Sequence, residues 1–292
     1  MSKTSTPNTM RTRTMTEHYI SLHYAPTKEA KDLYERLKTD PNQTPHFLNW
    51  GSLRSSDDPW VKENIVFEDD ALPDGRASDN IAEKNPNWCE MTTIYWAWKN
   101  GDVKDDDYVQ HSHYRKFLDI PEEIDEGKAD IYVATPLLMG FNCAGRPSIL
   151  DVEKGTKICH PLPSWNAMED VLTRGIGWKG SILWDDWRKS RQMFAPMNVW
   201  KMKGKLFKEY CEWAFPLAFE IDERVKESLK SEHWKKEYDT AYQRRWLSFI
   251  GERMFSWWSY CQHLGGVKTA CAPVRIYENF KPITDIEERE GK

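Results

Sequence analysis

Residues 85–115 constrain the fold most strongly, because the apolar pattern changes there from helical spacing to strand alternation. Asn85 and Pro86 can start a helix, Asn as the cap and Pro in the first turn. Residues 108–115 then alternate as a β-strand does. The large apolar side chains that recur at helical spacing before Asn100 and Gly101 end the helix are Trp88, Met91, Ile94, Tyr95 and Trp98. A helix followed at once by a strand predicts an α/β sheet domain.

Further elements are predicted on both sides of this unit. Turn residues after Pro41 predict mostly irregular structure as far as Gly75, and residues 140–200 give no clear assignment. The predicted strands are residues 19–24, 130–139 and 273–277, and the predicted helices are 27–38, 203–230 with a kink at Pro216, and 240–262. Strand–helix alternation followed by long helices predicts one α/β domain with a helical C-terminal part.

Charge and apolar patterning exclude several functional classes. The formal net charge is −5, and Lys and Arg are interspersed with acidic residues, which argues against a nucleic-acid groove. No run approaches the roughly 18 apolar residues of a membrane span. The polar start of the chain does not resemble a secretory signal. Six Cys without C-x-x-C spacing predict reduced thiols, no zinc site and a cytoplasmic location.

Aromatic content is unusually high, with 15 Trp, 12 Tyr and 11 Phe. Trp can stack against sugars or bases, but each one needs a partner for its N–H when it is buried. Core packing is the more common role for any single Trp, and stacking in a cleft is the alternative.

Several Trp-rich and Tyr-rich runs together resemble a bacterial family of domains of unknown function from capsular and exopolysaccharide gene clusters. Its members are regarded as glycosyltransferases with a GT-A-like fold. The runs are residues 79–85, 89–100, 113–117, 198–215 and 245–254, in the family's order. The chain departs from the family pattern at Ser78, Lys116 and Ser248.

The resemblance implies a GT-A-like (Rossmann-like) mixed sheet flanked by helices, with a helical C-terminal part. It predicts a glycosyltransferase-like domain over residues 17–280, between a disordered tail at 1–16 and a charged tail at 281–292. The implied partners are a nucleotide-sugar donor and a glycan or lipid-linked acceptor, but no nucleic acid. The implied location is the cytoplasm, with room for peripheral association at the inner face of a membrane.

Donor-binding residues are expected in two places. His113, Tyr114 and Arg115 follow a predicted strand, where Arg can neutralise a diphosphate and Tyr or His can donate hydrogen bonds. A loop before the predicted helix carries three more candidates, which can also serve as turn or cap residues. These are Asp79, Asn80 and Asn85.

Two carboxylates are candidates for the catalytic base. Glu252 lies on the last helix among aromatic residues, where its pKa can be raised. A structural Arg–Glu network is an equal alternative for that helix. Asp170, next to Glu169, is the second candidate. Asn198, Arg245 and Arg253 are expected to contact the acceptor or to support the residues that do.

A metal site is not firmly predicted, although GT-A enzymes often hold Mn²⁺ or Mg²⁺ through a D-x-D motif. Asp105–Asp107 contains those letters but precedes its strand, whereas ligands gather beyond the carboxyl ends of strands. We therefore interpret it as a solvated loop. His111 and His113 share one face of the strand but lack a third ligand.

Two other functions use the same features. A non-catalytic carbohydrate-binding protein would bind glycans through its Trp surfaces without binding nucleotides. A nucleotide-sugar hydrolase would bind the donor but turn it over without an acceptor.

Overall fold

A computed structural model describes residues 15–24, 26–113, 116–120, 128–135, 137–138, 140–143, 146–149, 151–193 and 196–276. The strands there are β1 Glu17–Leu22, β2 Gln43–Asn49, β3 Val66–Phe67, β4 Tyr108–His113, β5 Lys116–Leu118, β6 Ile131–Ala134, β7 Leu137–Leu138, β8 Gly140–Cys143, β9 Arg146–Ile149, β10 Gln192–Met193, β11 Trp200–Lys203, β12 Thr269–Ala272 and β13 Val274–Ile276. The α-helices are α1 Lys28–Thr39, α2 Pro59–Asn64, α3 Asn85–Trp88, α4 Glu90–Asn100, α5 Val152–Cys159, α6 Leu162–Thr173, α7 Gly177–Arg188, α8 Gly204–Ser228, α9 Glu232–Glu237 and α10 Trp246–Leu264.

The main sheet is mixed, in the order β3-β2-β1-β4-β11-β6-β12. Strands β3, β2, β1 and β4 are parallel to one another. Strand β11 runs antiparallel between β4 and β6, and β5 with β13 extends the sheet from the end of β4. The predicted GT-A-like mixed sheet with a helical C-terminal part is confirmed.

The prediction of mostly irregular structure after Pro41 is wrong, because β2, α2 and β3 occupy part of that stretch. Pro45 lies inside β2, where a proline usually argues against a strand. Strand β3 pairs with β2 only at Leu48 and Asn49, so Pro45 has no neighbouring strand to donate a hydrogen bond to on that side. The missing N–H of Pro45 is therefore tolerated.

The helix predicted from Asn85 to Asn100 is broken at Cys89. Cys89 has φ 45° and ψ −121°, which ends α3 and starts α4 in a new direction. Such a backbone conformation is strained for a non-glycine residue and is characteristic of functional segments. The break places Glu90 in the first turn of α4.

The C-terminal helices agree better with the sequence. Helix α8 continues through Pro216 without interruption of its assignment, and α10 begins at Trp246 after a 3₁₀ turn at Gln243–Arg245. Most Trp side chains serve as core, since nine of those in the described part are buried. One cluster of buried rings joins α6, α7 and α10 through Trp165, Trp184, Trp187 and Trp257.

Gly204 joins β11 to α8 at a point of very close approach. A Cβ at this residue would lie 1.9 Å from the carbonyl oxygen of Lys104, and the Gly204 N–H donates to Asp107 O at 2.7 Å. The loop before β4 therefore packs directly on the backbone of residue 204.

Replacing Gly204 by alanine should destabilise the fold by about 2–3 kcal/mol, because backbone must shift to make room. Gly265→Ala is the control, since a Cβ there would come no closer than 3.3 Å, to the carbonyl oxygen of Gln262. Urea denaturation of both variants measures the difference. Equal stability of the two variants would contradict the packing described for Gly204.

Candidate functional site

Parallel strands β1 to β4 end at one edge of the sheet, and antiparallel β11 begins there. Trp200, the first residue of β11, pairs with His111 of β4. Polar side chains from several elements gather at this edge, as expected for the carboxyl ends of parallel strands. We call this group the carboxyl-edge site, formed by Tyr24, Cys89, Glu90, His111, His113, Lys116, Asn198, Arg245, Ser248 and Glu252.

His111 is fully buried in the carboxyl-edge site. Its Nδ1 lies 2.6 Å from the carbonyl oxygen of Asn198, which can only accept, so Nδ1 carries the proton. The Nε2 atom is then an acceptor, and it has no hydrogen-bond partner among the described residues. Burial lowers the pKa of His111 to about 4, with His113 acting in the same direction. The imidazole is therefore neutral at pH 7.

His113 makes an equivalent hydrogen bond to the residue before Asn198. Its Nε2 donates to Met197 O at 2.7 Å. Met197 and Asn198 both have left-handed backbones, with φ of 68° and 52°. Two consecutive strained residues persist only when neighbouring groups hold them in place. The two histidines on one face of β4 provide that support.

The Asn198 side chain also connects the sheet to the helices. Its oxygen accepts from the Trp200 indole at 3.0 Å, and its amide lies 3.7 Å from the Met91 sulfur. Helix α10 approaches α4 at the same place, since a Cβ at Gly251 would lie 2.7 Å from that sulfur. Asn198 thus links the strand end to α4 from within the core.

The strained Cys89 and the following Glu90 bind two residues at the start of α10. The Ser248 hydroxyl lies 2.9 and 2.8 Å from the two Glu90 oxygens, in a fully buried contact. Arg245 Nε donates to the Cys89 sulfur at 3.1 Å. Burial raises the pKa of the Cys89 thiol and, more strongly, that of the neighbouring Tyr24. Both groups are therefore protonated at neutral pH.

Glu252 lies one turn beyond Ser248, with 17% of its side chain exposed. Burial raises the pKa of its carboxyl above the ordinary value of 4.5. Nearby positive charges on Arg253, Lys116 and Arg245 act in the opposite direction. The raised pKa is what a general base at neutral pH requires. Its partner Arg253 donates at 2.9 Å.

Arg253 has a further packing role. It is buried, and it donates to Thr156 Oγ1 at 3.2 Å and to Phe249 O at 3.0 Å. The bond to Thr156 ties α10 to α5, and the bond to Phe249 stays within α10. The structure therefore places Arg253 behind Glu252, where it holds the helix.

A buried network under the site contains one carboxyl that sequence reasoning missed. Asn85 donates to Cys89 O and to Thr92 Oγ1, both at 3.0 Å, and Thr92 lies 3.0 Å from Glu68 Oε1. Glu68 follows β3 and is fully buried, with no partner for Oε2 among the described residues. Burial raises its pKa to about 8. The sequence gave no signal for Glu68, because it stands beside another acidic residue, Asp69, and follows a strand of only two residues.

Asp79 and Asn80 lie at the other end of α4 from the carboxyl-edge site. Asp79 accepts from the Tyr95 hydroxyl at 3.0 Å, and its backbone N–H and C=O are both bonded by the Asn100 side chain. Asn80 accepts from the N–H of Ala82 at 3.2 Å, as a turn residue does. The structure therefore separates these two candidates from His113, while Asn85 lies beneath the site. Tyr114 and Arg115 lie outside the described residues.

The Asp105–Asp107 loop precedes β4, as expected, but the interpretation as a wholly solvated loop is wrong for Asp107. Asp107 is 3% exposed. Its two oxygens accept from the backbone N–H groups of Thr16 and Lys104 at 3.1 and 2.8 Å. His18 lies 3.4 Å away, and these hydrogen bonds lower the pKa of Asp107 despite burial. Asp107 is thus a buried anchor.

Asp107→Asn should destabilise the chain by about 1–3 kcal/mol, because an amide cannot accept both backbone bonds. The double variant Asp105→Asn, Asp106→Asn should change stability by less than about 0.5 kcal/mol, since both residues are exposed. Neither variant should change nucleotide affinity more than about threefold, as the loop lies beyond the opposite ends of the strands. Thermal melts and calorimetric titration measure both effects. A hundredfold loss of affinity in the double variant would contradict the location of the site.

Asp170 lies on α6, apart from the carboxyl-edge site. It is exposed and pairs with Arg224 of α8 and, at 4.0 Å, with Arg174. The adjacent Glu169 accepts from the indoles of Trp165 and Trp184 at 3.1 and 3.2 Å. The structure therefore gives this acidic pair helix-packing partners and brings neither residue to Glu252.

A divalent metal finds no ready site in the described part of the chain. No cluster of three or more His, Cys, Asp or Glu side chains there could hold an ion. Asp107 is occupied by backbone N–H groups, and Asp105 pairs with Lys208 at 2.7 Å. The D-x-D letters therefore do not fit the role of metal ligands.

A family model described as "Domain of unknown function (DUF4422)" matches residues 61–143 and 179–263, more than half of the chain. The chain belongs to the DUF4422 family. The two matched stretches contain every sequence-predicted site residue except Asp170. In the DUF4422 chain they also contribute all of the carboxyl-edge site except Tyr24.

The DUF4422 chain is similar in fold to a solved structure titled as the apo form of a bifunctional glycosyltransferase, WbbM. The TM-score is 0.61 at 19% sequence identity, over 93% of this chain. The chain corresponds to 48% of that longer protein. No curated protein matches the sequence. Within the described residues, no helix is long and apolar enough to cross a membrane.

Proposed function

We propose that this chain is a glycosyltransferase that moves a sugar from a nucleotide-sugar donor to a glycan or lipid-linked acceptor. The observation that carries the proposal is the position of Glu252. Its carboxyl has a raised pKa and lies among Lys116, Arg245 and Arg253, at the carboxyl edge of a GT-A-like sheet. The same edge is where ligands bind in open α/β sheets.

Sugar transfer needs positive charge for the departing diphosphate and a base for the acceptor hydroxyl. Lys116, the first residue of β5, lies opposite His113 in the strand register. Its side chain therefore starts at the carboxyl end of β4. Arg245 is the N-cap residue of α10, the helix that carries Glu252. Lysine and arginine donate charge-assisted hydrogen bonds to phosphate oxygens, which supports binding of the diphosphate here.

Glu252 is the proposed base. In its ionised form the carboxylate takes the proton from the acceptor hydroxyl as the new glycosidic bond forms and the bond to the diphosphate breaks. Arg253 orients the carboxylate through its 2.9 Å hydrogen bond. The neutral His111, with an acceptor Nε2, is suited to orient a hydroxyl rather than to carry charge.

The test is release of nucleoside diphosphate from a panel of UDP-, GDP- and dTDP-sugars, with and without glycan acceptors. Release that depends on an acceptor supports the transferase. Release that is equal without an acceptor supports a hydrolase, and glycan binding without nucleotide binding supports a carbohydrate-binding protein. Either of the last two results overturns the proposal.

A further inference from the structure

A cavity of about 580 Å³ opens at the amino edge of the sheet, where β1 and β2 begin. We call it the amino-edge cavity. Its size falls within the range of small-ligand sites, roughly 300–1,000 Å³. Its walls come from the starts of the two strands, the loop at residues 70–76 and the C-terminal half of α4. The residues that carry the argument are His18, Thr44, His46, Trp96 and Asn100.

One wall is a continuous aromatic surface without charge. The rings of His18 and His46 are stacked, with centroids 5.6 Å apart and planes at 2°. The Trp96 ring follows at 5.8 Å from His46. Burial lowers the pKa of His46 to about 4 and also lowers that of His18. Both imidazoles are therefore neutral at pH 7.

Trp96 supplies an unused hydrogen-bond donor. The residue is 6% exposed, and its indole N–H has no partner in the described part of the chain. A buried donor without a partner is unfavourable, so such groups call for an explanation. Trp96 lines the cavity but its Nε1 exposes less than 1 Å², so a ligand with an oxygen acceptor can supply the missing bond if the ring turns slightly toward the cavity.

Most charged groups at the cavity are held in ion pairs, but the lining has more carboxylates than cations. The lining contains four Asp, one Arg and one Lys, so its net charge is negative, and a phosphate or another anion would be repelled. The ion pairs are Asp70–Arg54 at 2.8 Å, Asp74–Arg76 at 2.7 Å, and Asp102–Lys104.

We propose that the amino-edge cavity binds a neutral saccharide unit. A pyranose ring presents C–H groups to an aromatic face and hydroxyl groups around its edge, so it can contact the His46 and Trp96 rings and accept from the indole. Thr44 and the charged side chains of the rim can hydrogen-bond the hydroxyl groups of such a ligand. This site is separate from the carboxyl-edge site and goes beyond the proposed transfer reaction.

The test is saturation-transfer NMR with the methyl glycosides of glucose, galactose, mannose and N-acetylglucosamine at about 10 mM, since ligands this small bind at about 1 mM. At least one glycoside should show transfer. Ala71 is exposed and lines the cavity, so Ala71→Trp should fill it and weaken binding at least tenfold. Ala77→Trp is the matched control, because Ala77 is exposed in the same segment but does not line the cavity.

Competition with nucleotide separates this proposal from the proposed function. Saccharide binding should persist in saturating nucleoside diphosphate, and Ala71→Trp should keep normal nucleotide affinity. Silence of all four glycosides, unchanged binding in Ala71→Trp, or displacement by nucleotide each overturns the proposal. None of these results depends on whether the chain transfers sugar.

Discussion

Replacing Glu252 by glutamine should lower the rate of sugar transfer at least about 100-fold, the usual effect of removing a general base. Glutamine keeps the size of the side chain and can still accept from Arg253, so the fold and the donor affinity should change little. The raised pKa of Glu252 adds a second expectation. The base acts when deprotonated, so kcat/KM should rise with pH through a value above the ordinary carboxyl pKa of 4.5.

Asp170→Asn distinguishes between the two candidate bases. Asp170 is exposed and paired with Arg224. If Glu252 is the base, only Glu252→Gln should lose the transfer rate and the rise of kcat/KM with pH. Both variants are compared at equal amounts of folded protein. A large loss in Asp170→Asn, with normal turnover in Glu252→Gln, would show that the base lies on α6.

The effect of Glu68→Gln on the free energy of unfolding should be more favourable at pH 8 than at pH 4, by on the order of 3–5 kcal/mol. Each unit of pKa shift corresponds to about 1.4 kcal/mol. Burial raises the folded-state pKa of Glu68 to about 8. Between about pH 4.5 and 8 the folded chain therefore holds a proton that the unfolded chain has released. Stability from this group is present below that window and falls as pH rises through it.

Urea denaturation of the parent and of Glu68→Gln at several pH values measures this effect. The parent should lose stability as pH rises from about 5 to 8, and the variant should lose much less. Glu83→Gln is the control, because Glu83 is exposed. Parallel pH profiles for the parent and Glu68→Gln would show that Glu68 is already ionised in the folded chain.

The elements with regular apolar spacing could be predicted from sequence. The Thr27 side chain caps α1 as its residue type suggests, accepting from Ala30 at 3.2 Å. Strand β2 could not be predicted, because Pro45 and the surrounding turn residues argue against a strand. The strand forms through its parallel pairing with β1, which the local sequence does not show. The break at Cys89 was also hidden, since helical spacing continues across it.

The candidate site was predictable in part. Arg245 and Glu252 share the helix predicted over residues 240–262, so their spacing placed them together, and His113 followed a predicted strand. Glu68 and the contact between Ser248 and Glu90 depend on residues far apart in sequence, joined only by the fold. Asp79 and Asn80 seemed to lie near His113 because they precede α4, but they lie at the opposite end of that helix.

Calorimetric titration with nucleoside diphosphates tests the central claim most directly. At least one of UDP, GDP, CDP and dTDP should bind with a dissociation constant of about 10–1000 μM, the ordinary substrate range. Lys116→Met should weaken that binding about tenfold, whereas Lys208→Met, which removes a cation beside Asp105, should not. Silence of all four nucleotides at millimolar concentration, or equal affinity in the two lysine variants, would contradict a donor site at the carboxyl edge.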